Sequence, residues 1–146
     1  MVIWALKPPG PQYPASVCWP ANTQYIPPLP PAAHRRFYNS QRFTQNITRA
    51  DMIKAGYAPS VRLFEAAACG TPIISDYCDG LDTFFTFGSE ILVAYTTRDT
   101  LDFLQQIPET ERKAIGERAR RKVYAHHTAA HRAQELEQYV GELMIT

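Results

Sequence analysis

Residues 56–82 read GYAPSVRLFEAAACGTPIISDYCDGLD, and this stretch decides the fold class. Ser60 is a typical N-cap, and the apolar residues after it recur at helical spacing until Gly70 ends the helix. The short β-branched run at residues 71–75 predicts a buried strand. An Asp-Gly pair at residues 79–80 then predicts a tight turn. The stretch is therefore a helix, a buried strand and a turn in succession.

Strands and helices alternate on both sides of this stretch. Further strands are predicted at residues 2–6, 24–26, 43–47 and 90–95, and helices at residues 31–38, 49–55, 81–85, 100–106, 109–126 and 128–143. Thr97 is expected to cap the helix at residues 100–106. The alternation predicts an α/β fold, with a Rossmann-like three-layer α/β/α arrangement around a parallel sheet. With 146 residues, the chain is expected to form a single domain over residues 1–146.

The overall composition excludes several classes of function. The chain has 15 Lys and Arg residues and 14 Asp and Glu residues. A net charge of +1 gives no general attraction for nucleic acid or anionic membranes. No apolar run approaches the roughly 20 residues that span a bilayer. Three cysteines without regular spacing argue against a disulfide framework. We therefore expect a cytoplasmic protein with no nucleic-acid partner and no membrane span.

The start of the helix after Ser60 is a candidate anion site. The first amides of a helix, here near Ser60 and Val61, have no intrahelical partners, and the helix dipole favours negative charge there. Arg62 adds a forked cation that suits phosphate. Glu65, one turn further, accepts hydrogen bonds when ionised, which suits the vicinal hydroxyls of a ribose. Because ligands of open parallel sheets bind beyond the strand ends, the turn at Gly80 is expected to share one crevice with this helix start, and a nucleotide diphosphate would fit there.

Simpler structural interpretations remain open for these and other residues. A serine cap followed by a glutamate is common in helices that bind nothing, and Arg62 and Glu65 could pair with each other on the helix surface. His127 and His131 are one turn apart, but no third ligand is near, so we expect no metal site. The basic run at residues 118–122 is more typical of a solvated helix face than of a nucleic-acid patch.

The string RLFEAAACGTPII at residues 62–74 resembles the "EAxAcGtPvi" signature of retaining glycosyltransferases with two Rossmann-like domains, the GT-B fold. The strings NITRADM at residues 46–52 and GYAPSVR at residues 56–62, with His-Thr at residues 127–128 and His-Arg at residues 131–132, resemble the CgeB-like, spore-maturation branch. The resemblance implies the C-terminal, nucleotide-sugar-binding half of such an enzyme. It also implies that the first strand-helix unit of this half and the N-terminal acceptor domain are missing.

Carried onto this sequence, the resemblance implies a site for a nucleotide-diphosphate sugar, bound as donor substrate without a cofactor or a metal. Glu65 would bind the ribose hydroxyls. The amides of Ser60 and Val61 would meet the diphosphate. Gly80 and Leu81 would line the loop near the phosphates or the sugar.

The same resemblance implies that Arg49 and Arg62 stabilise the leaving diphosphate, which is the role nearest to catalysis. The family often has two glutamates eight residues apart, but Tyr57 stands where the partner of Glu65 would be. This departure keeps a second function open, a non-catalytic, degenerate glycosyltransferase-like module that serves as an interaction or regulatory surface. We expect the chain alone to bind nucleotide weakly and to transfer nothing, because one domain cannot close a cleft around an acceptor.

The last predicted helix carries an apolar stripe at mostly three- and four-residue steps. In two-domain enzymes of this kind the final helix often packs back against the partner domain. If that contact exists in the whole protein, the stripe is exposed when the partner domain is absent. Its residues are Leu136, Tyr139, Val140 and Leu143.

Overall fold

The computed structural model describes residues 2–4, 20–26, 29–57 and 59–144. The elements in chain order are β1 (Val2–Trp4), β2 (Gln24–Ile26), α1 (Pro31–Asn39), β3 (Thr44–Asn46), α2 (Ala50–Ala55), α3 (Val61–Ala68), β4 (Ile73–Asp76), a 3-10 turn (Leu81–Thr83), β5 (Leu92–Ala94), α4 (Thr97–Gln106), α5 (Glu109–His126) and α6 (Ala129–Met144). The chain divides into two compact units, Met1–Arg35 and Arg36–Thr146. A single domain over residues 1–146 therefore stays a prediction.

In the first unit, two short parallel strands pair with each other. Strand β1 runs alongside β2, with Val2 opposite Gln24 and Trp4 opposite Ile26. Residues 5 and 6, at the end of the predicted strand, lie outside the described residues. Helix α1 begins at Pro31, whose fixed φ and missing amide hydrogen suit the first turn of a helix.

The second unit is built on a three-stranded parallel sheet in the order β3-β4-β5. Successive side chains of a strand point to opposite faces. Ile73 therefore packs in the cluster that includes α3 residues, whereas Ile74 packs with Leu92 and with Ile115 of α5. Helices thus cover both faces of the sheet, and the predicted Rossmann-like three-layer α/β/α arrangement with parallel strands is confirmed.

Helix α4 begins earlier than the sequence predicts. It starts at Thr97, and its cap is Thr96, so the prediction of Thr97 as the cap was wrong. The Thr96 hydroxyl accepts from the Asp99 amide at 3.2 Å, and the Asp99 carboxylate accepts from the Thr96 amide at 2.9 Å. This reciprocal pair is a capping box, which needs an acidic or amide side chain three residues after the cap. Thr97 has Thr100 at that position instead.

Helix α6 has no buried residue. The predicted apolar stripe is exposed, from 48% at Val140 to 77% at Leu143. Exposed apolar side chains in a row on one helix mark a surface that suits a protein contact.

In the described part of the chain, no helix combines the length and the apolar character that crossing a membrane requires.

The junction between α5 and α6 is held by His127. Its ring lies among three phenylalanine rings, with centroid distances of 5.7 Å to Phe64, 5.6 Å to Phe84 and 6.5 Å to Phe85. Nδ1 of His127 accepts from the guanidinium of Arg132 at 2.6 Å. Burial first, and then the positive charge of Arg132, lower the pKa of His127. The imidazole is therefore held neutral at this junction.

Acid should weaken the fold through His127. The folded protein binds a proton at this ring less readily than the unfolded chain does, so stability falls as the pH drops from about 7 through the ordinary histidine value of about 6.5. Protonation would also place a hydrogen on Nδ1, where it faces the Arg132 guanidinium. His127→Phe keeps an aromatic ring among the three phenylalanines but cannot bind a proton. We therefore expect it to reduce the pH dependence of the free energy of unfolding, measured in urea, between pH 7 and pH 5. His126→Gln, at the exposed neighbour, is the control and should keep the wild-type slope.

Candidate functional site

The chain order places the start of α3 at the carboxyl edge of the sheet. Strand β3 ends at Asn46, and the chain then passes α2 before α3 begins at Val61. Because β3 and β4 are parallel, α3 has to run back from the carboxyl edge to the start of β4. The expected position, next to the strand ends where ligands of parallel sheets bind, is therefore met.

The first turn of α3 has the cap that the sequence predicts. Ser60 has extended backbone angles, φ −68° and ψ 137°, and its hydroxyl accepts from the Arg62 amide at 3.4 Å. That distance is at the weak end of the hydrogen-bond range. In the described part of the chain, the amides of Ser60 and Val61 donate no hydrogen bond, and Val61 is 70% exposed. The helix start is open to solvent and keeps its donors available.

Glu65 is half-buried, and the buried Tyr38 fixes its carboxylate. The Tyr38 hydroxyl donates to Glu65 Oε2 at 3.1 Å, and the Thr71 hydroxyl donates to the backbone carbonyl of Tyr38 at 2.9 Å. Burial, and next the Glu65 carboxylate, raise the pKa of Tyr38, so the phenol stays a donor. The sequence does not signal Tyr38 as a functional residue. Its partner is 27 residues away on another helix, and no local pattern signals such a pair.

The two candidate arginines occupy different positions. Arg62 is half-buried on α3 and close enough to Tyr38 to oppose the rise of its pKa. Arg49 precedes α2, caps it through the backbone alone, and is exposed. Among the described residues, no hydrogen bond or ion pair joins the Arg49 side chain to another candidate residue. Of the two arginines, only Arg62 lies on the same helix as Glu65.

The loop before α3 and the turn after β4 are joined directly. The Tyr57 amide donates to the Asp79 carbonyl at 2.8 Å. A Cβ on Gly56 would lie 3.4 Å from the Asp79 Cβ, and a Cβ on Gly80 would lie only 2.4 Å from Cδ1 of Tyr57. The helix start and the Asp79-Gly80 turn therefore belong to one surface. The Tyr57 ring covers Gly80, which is buried beneath it.

Leu81 supports this turn from the protein interior. Its side chain is 2% exposed, and its amide donates to the Cys78 carbonyl at 3.1 Å. Neither its side chain nor its amide is available at the surface of the loop. Gly80, with φ +83°, has the left-handed conformation that such a turn needs.

A polar network that the sequence did not signal lies at the same edge of the sheet. Buried Asn46 donates to the Ser75 hydroxyl at 3.0 Å, and Asp76 accepts from the amide and the hydroxyl of Thr48 at 2.7 Å and 2.6 Å. These bonds tie the ends of β3 and β4 together. A cavity of about 230 Å³ opens above them, and the exposed ring of Tyr95 lines one of its sides.

The histidines and the basic run take structural roles. His131 Nδ1 lies 2.6 Å from the Thr128 hydroxyl, at the start of α6. Arg118 and Arg120 pair with Glu111 and Glu117 on α5. In the ranges that the structure covers, no three histidine, cysteine or acidic side chains gather as a metal site would require.

Comparison with known proteins supports the resemblance to glycosyltransferases. A family model described as glycosyl transferase-like matches residues 4–138. The chain belongs to this family. A search of curated proteins finds no match.

A solved structure is similar in fold. Sucrose-phosphate synthase from Thermosynechococcus elongatus superposes with a TM-score of 0.69 at 16% sequence identity. The match covers 84% of this chain and 30% of that protein, so this chain spans less than a third of its length. At this identity the likeness concerns the fold alone. With the family match, it confirms a Rossmann-like domain of the kind that forms half of a GT-B glycosyltransferase.

Proposed function

We propose that this domain binds the donor, a nucleotide-diphosphate sugar, in a glycosyltransferase that transfers the sugar to an acceptor. The main support is the position of Glu65, a carboxylate fixed by the Tyr38 hydroxyl on a helix whose first turn is open to solvent. A fixed carboxylate accepts from two neighbouring ribose hydroxyls, and unbonded helix amides suit a diphosphate.

Each part of the donor has a proposed partner. Glu65 takes the ribose, and the amides of Ser60 and Val61 take the diphosphate. Gly80 and Leu81 form the loop at the far side of the phosphates. Because the side chain of Leu81 is buried and its amide donates to the Cys78 carbonyl, Leu81 acts by shaping the turn.

Arg62 and Arg49 are proposed to stabilise the leaving diphosphate as its charge develops. Arg62 is favoured because it lies on the same helix as Glu65 and beside Tyr38. Arg49 needs a bound donor or a partner domain to bring its exposed guanidinium to the phosphates. No metal or cofactor is required by this scheme, since arginines and helix amides supply the positive charge.

We also propose that the chain belongs to the CgeB-like branch of the family, because it contains NITRADM at residues 46–52 and GYAPSVR at residues 56–62. An N-terminal acceptor domain is the proposed partner, and the exposed stripe on α6 supports a contact of that kind. The three cysteines of the chain, which have no regular spacing, favour a reducing compartment, the cytoplasm.

A titration tests the donor site. We expect UDP, ADP, GDP or dTDP to shift the backbone amide signals of residues 60–65 in NMR spectra of the chain, with weak affinity and no sugar transfer. The amides around Lys113 and Arg120, which line a separate basic cavity, are the internal control and should stay unchanged. Shifts at that cavity with none at residues 60–65 would contradict the proposed site.

A non-catalytic module is the second candidate function, because Tyr57 replaces the first glutamate of the usual family pair. An interaction module has no need for a nucleotide sugar. Binding of the donor by the full-length protein would favour the transferase, whereas partner binding without any donor binding would favour the module.

A further inference from the structure

His127 packs between the two segments that carry the candidate donor site. The centroid of its ring lies 5.7 Å from that of Phe64, which precedes Glu65 on α3. It lies 5.6 Å from the centroid of Phe84, which directly follows the 3-10 turn after Gly80. The two phenylalanine rings are themselves 5.5 Å apart and meet edge to face. The helix of Glu65 and the turn of Gly80 are thus joined by one aromatic cluster.

Arg132 closes this aromatic cluster from α6. Its guanidinium meets Nδ1 of His127 at 2.6 Å, and its guanidinium carbon lies 5.9 Å from the Phe84 ring centroid, within the range of a cation–π contact. The same guanidinium pairs with Glu135 at 2.5 Å. Because a guanidinium can only donate hydrogen bonds, the contact with His127 requires a ring that carries no proton on Nδ1.

The charged groups around His127 oppose its protonation. Lys122 and His126 act on it from α5 and Arg132 from α6, and all three are positive when protonated. Burial has the largest effect, and together with these groups it lowers the pKa of His127. The Phe84 backbone has the smallest effect and favours the proton. From α3 and from the turn, the ring is met by phenylalanine side chains. The contacts therefore fit the neutral imidazole.

We propose that His127 is a positioning residue for the donor site: its neutral form holds the turn of Gly80 against the helix of Glu65, and protonation releases them. This inference rests on the donor site proposed above. A protonated ring places a hydrogen on Nδ1 towards the Arg132 guanidinium, so the bond is lost and two cations repel each other. The ribose and phosphate parts of the site are then no longer held in one arrangement. Affinity for the donor falls in acid although the chain stays folded.

Donor binding and protonation of His127 oppose each other in this scheme. A nucleotide sugar that contacts both the helix and the turn favours the neutral, closed cluster. By linkage, it must weaken proton binding at His127 by the same factor by which the proton weakens donor binding. Since the pKa of His127 lies below the ordinary value of about 6.5, affinity should be constant above about pH 7 and fall below about pH 6.5.

Calorimetric titration of the full-length protein at about pH 7.5 and about pH 5.5 tests this proposal. The probes are the glucose conjugates of UDP, ADP and GDP. Their diphosphate is esterified at both ends, whereas the terminal phosphate of a free nucleoside diphosphate itself titrates near about pH 6. We expect the affinity of the wild type for the preferred conjugate to fall about five-fold at the lower pH, which is the lower end for coupled sites. Circular dichroism at both pH values checks that the protein stays folded.

Three variants separate positioning by His127 from a general effect of acid. His127→Phe keeps a ring in the cluster but cannot bind a proton, so its affinity should be close to that of the wild type at about pH 7.5 and should not fall. Arg132→Gln has an amide that can pair with either form of the imidazole, so it should remove most of the pH dependence. His126→Gln, at the exposed neighbour, is the matched control and should keep the fall of the wild type.

NMR titration of the histidine rings gives the reciprocal measurement. With the preferred conjugate bound, the pKa of His127 should fall further, whereas that of His126 should not move. A wild-type affinity that does not depend on pH, an equal fall in His127→Phe, or a pKa of His127 that the ligand leaves unchanged would overturn the role of His127 alone. A wild-type protein that binds no conjugate at about pH 7.5 would overturn the donor site itself, and this inference with it.

Discussion

Glu65→Gln should weaken binding of a nucleoside diphosphate by about 10- to 100-fold, because hydrogen bonds to a charged group contribute about 1.5–3 kcal/mol. Glutamine keeps the shape of the side chain, and its carbonyl still accepts from the Tyr38 hydroxyl. The fold should therefore survive, with a small change in the urea midpoint. Calorimetry on the wild type and the variant, with the nucleotide that binds best, measures the effect directly.

Tyr38→Phe is the matched variant on the other side of the same hydrogen bond. It leaves the Glu65 carboxylate charged but removes the group that orients it, so we expect a loss of affinity of only a few-fold. Removing the hydroxyl also costs about 1 kcal/mol of folding free energy. If Glu65→Gln bound nucleotide as tightly as the wild type, the ribose would have to bind elsewhere, and the cavity above Asn46 and Asp76 would be the next place to look.

The elements around this site were predictable because their signals are local. The Ser60 cap, the apolar spacing of α3 and the left-handed Gly70 all lie within ten residues of one another. Strand β4 follows as a short β-branched run. From the order of these elements alone, the open helix start had to lie at the carboxyl edge of a parallel sheet. The signals for α5 are local as well, and its bounds, Glu109–His126, are those predicted from the sequence.

The side-chain partners within the site were not predictable from the sequence. Tyr38 and Glu65 are 27 residues apart, and Asn46 and Ser75 are 29 apart. Such pairs depend on how a helix or a strand is placed against its neighbour, which no periodicity records. The ring of Tyr57 shows the same limit: the sequence reveals an unexpected residue type, but only the fold reveals that its ring lies on Gly80.

Packing also separates neighbouring apolar residues on α5. Ile115, Ala119 and Val123 are buried, but Tyr124 is 57% exposed. Tyr124 follows directly after Val123, which places it about 100° further around the helix. The Arg120 guanidinium lies over the Tyr124 ring, with its carbon 5.6 Å from the ring centroid. An aromatic residue beside a buried stripe can therefore belong to the surface.

Gly116→Ala should lower the free energy of unfolding by about 3 kcal/mol, because overpacking of a close contact forces the backbone to move. A Cβ on this α5 residue would lie 2.1 Å from the Gly70 carbonyl oxygen and 3.2 Å from Cδ of Pro72. The first of these neighbours is backbone that leads into β4, so no side-chain rotation can relieve the overlap. Urea unfolding, followed by circular dichroism, measures the change.

Gly141→Ala is the control, and we expect it to change the free energy of unfolding in the opposite direction. Gly141 lies in α6, and nothing lies within 4 Å of a Cβ placed on it. In a helix interior, alanine is favoured over glycine by up to about 1 kcal/mol, so this variant should gain stability. The same substitution thus acts in opposite directions at the two helical glycines. If Gly116→Ala also gained stability, α5 could not approach the turn before β4 as closely as the fold requires, and the packing that positions α3 and its open first turn would be wrong.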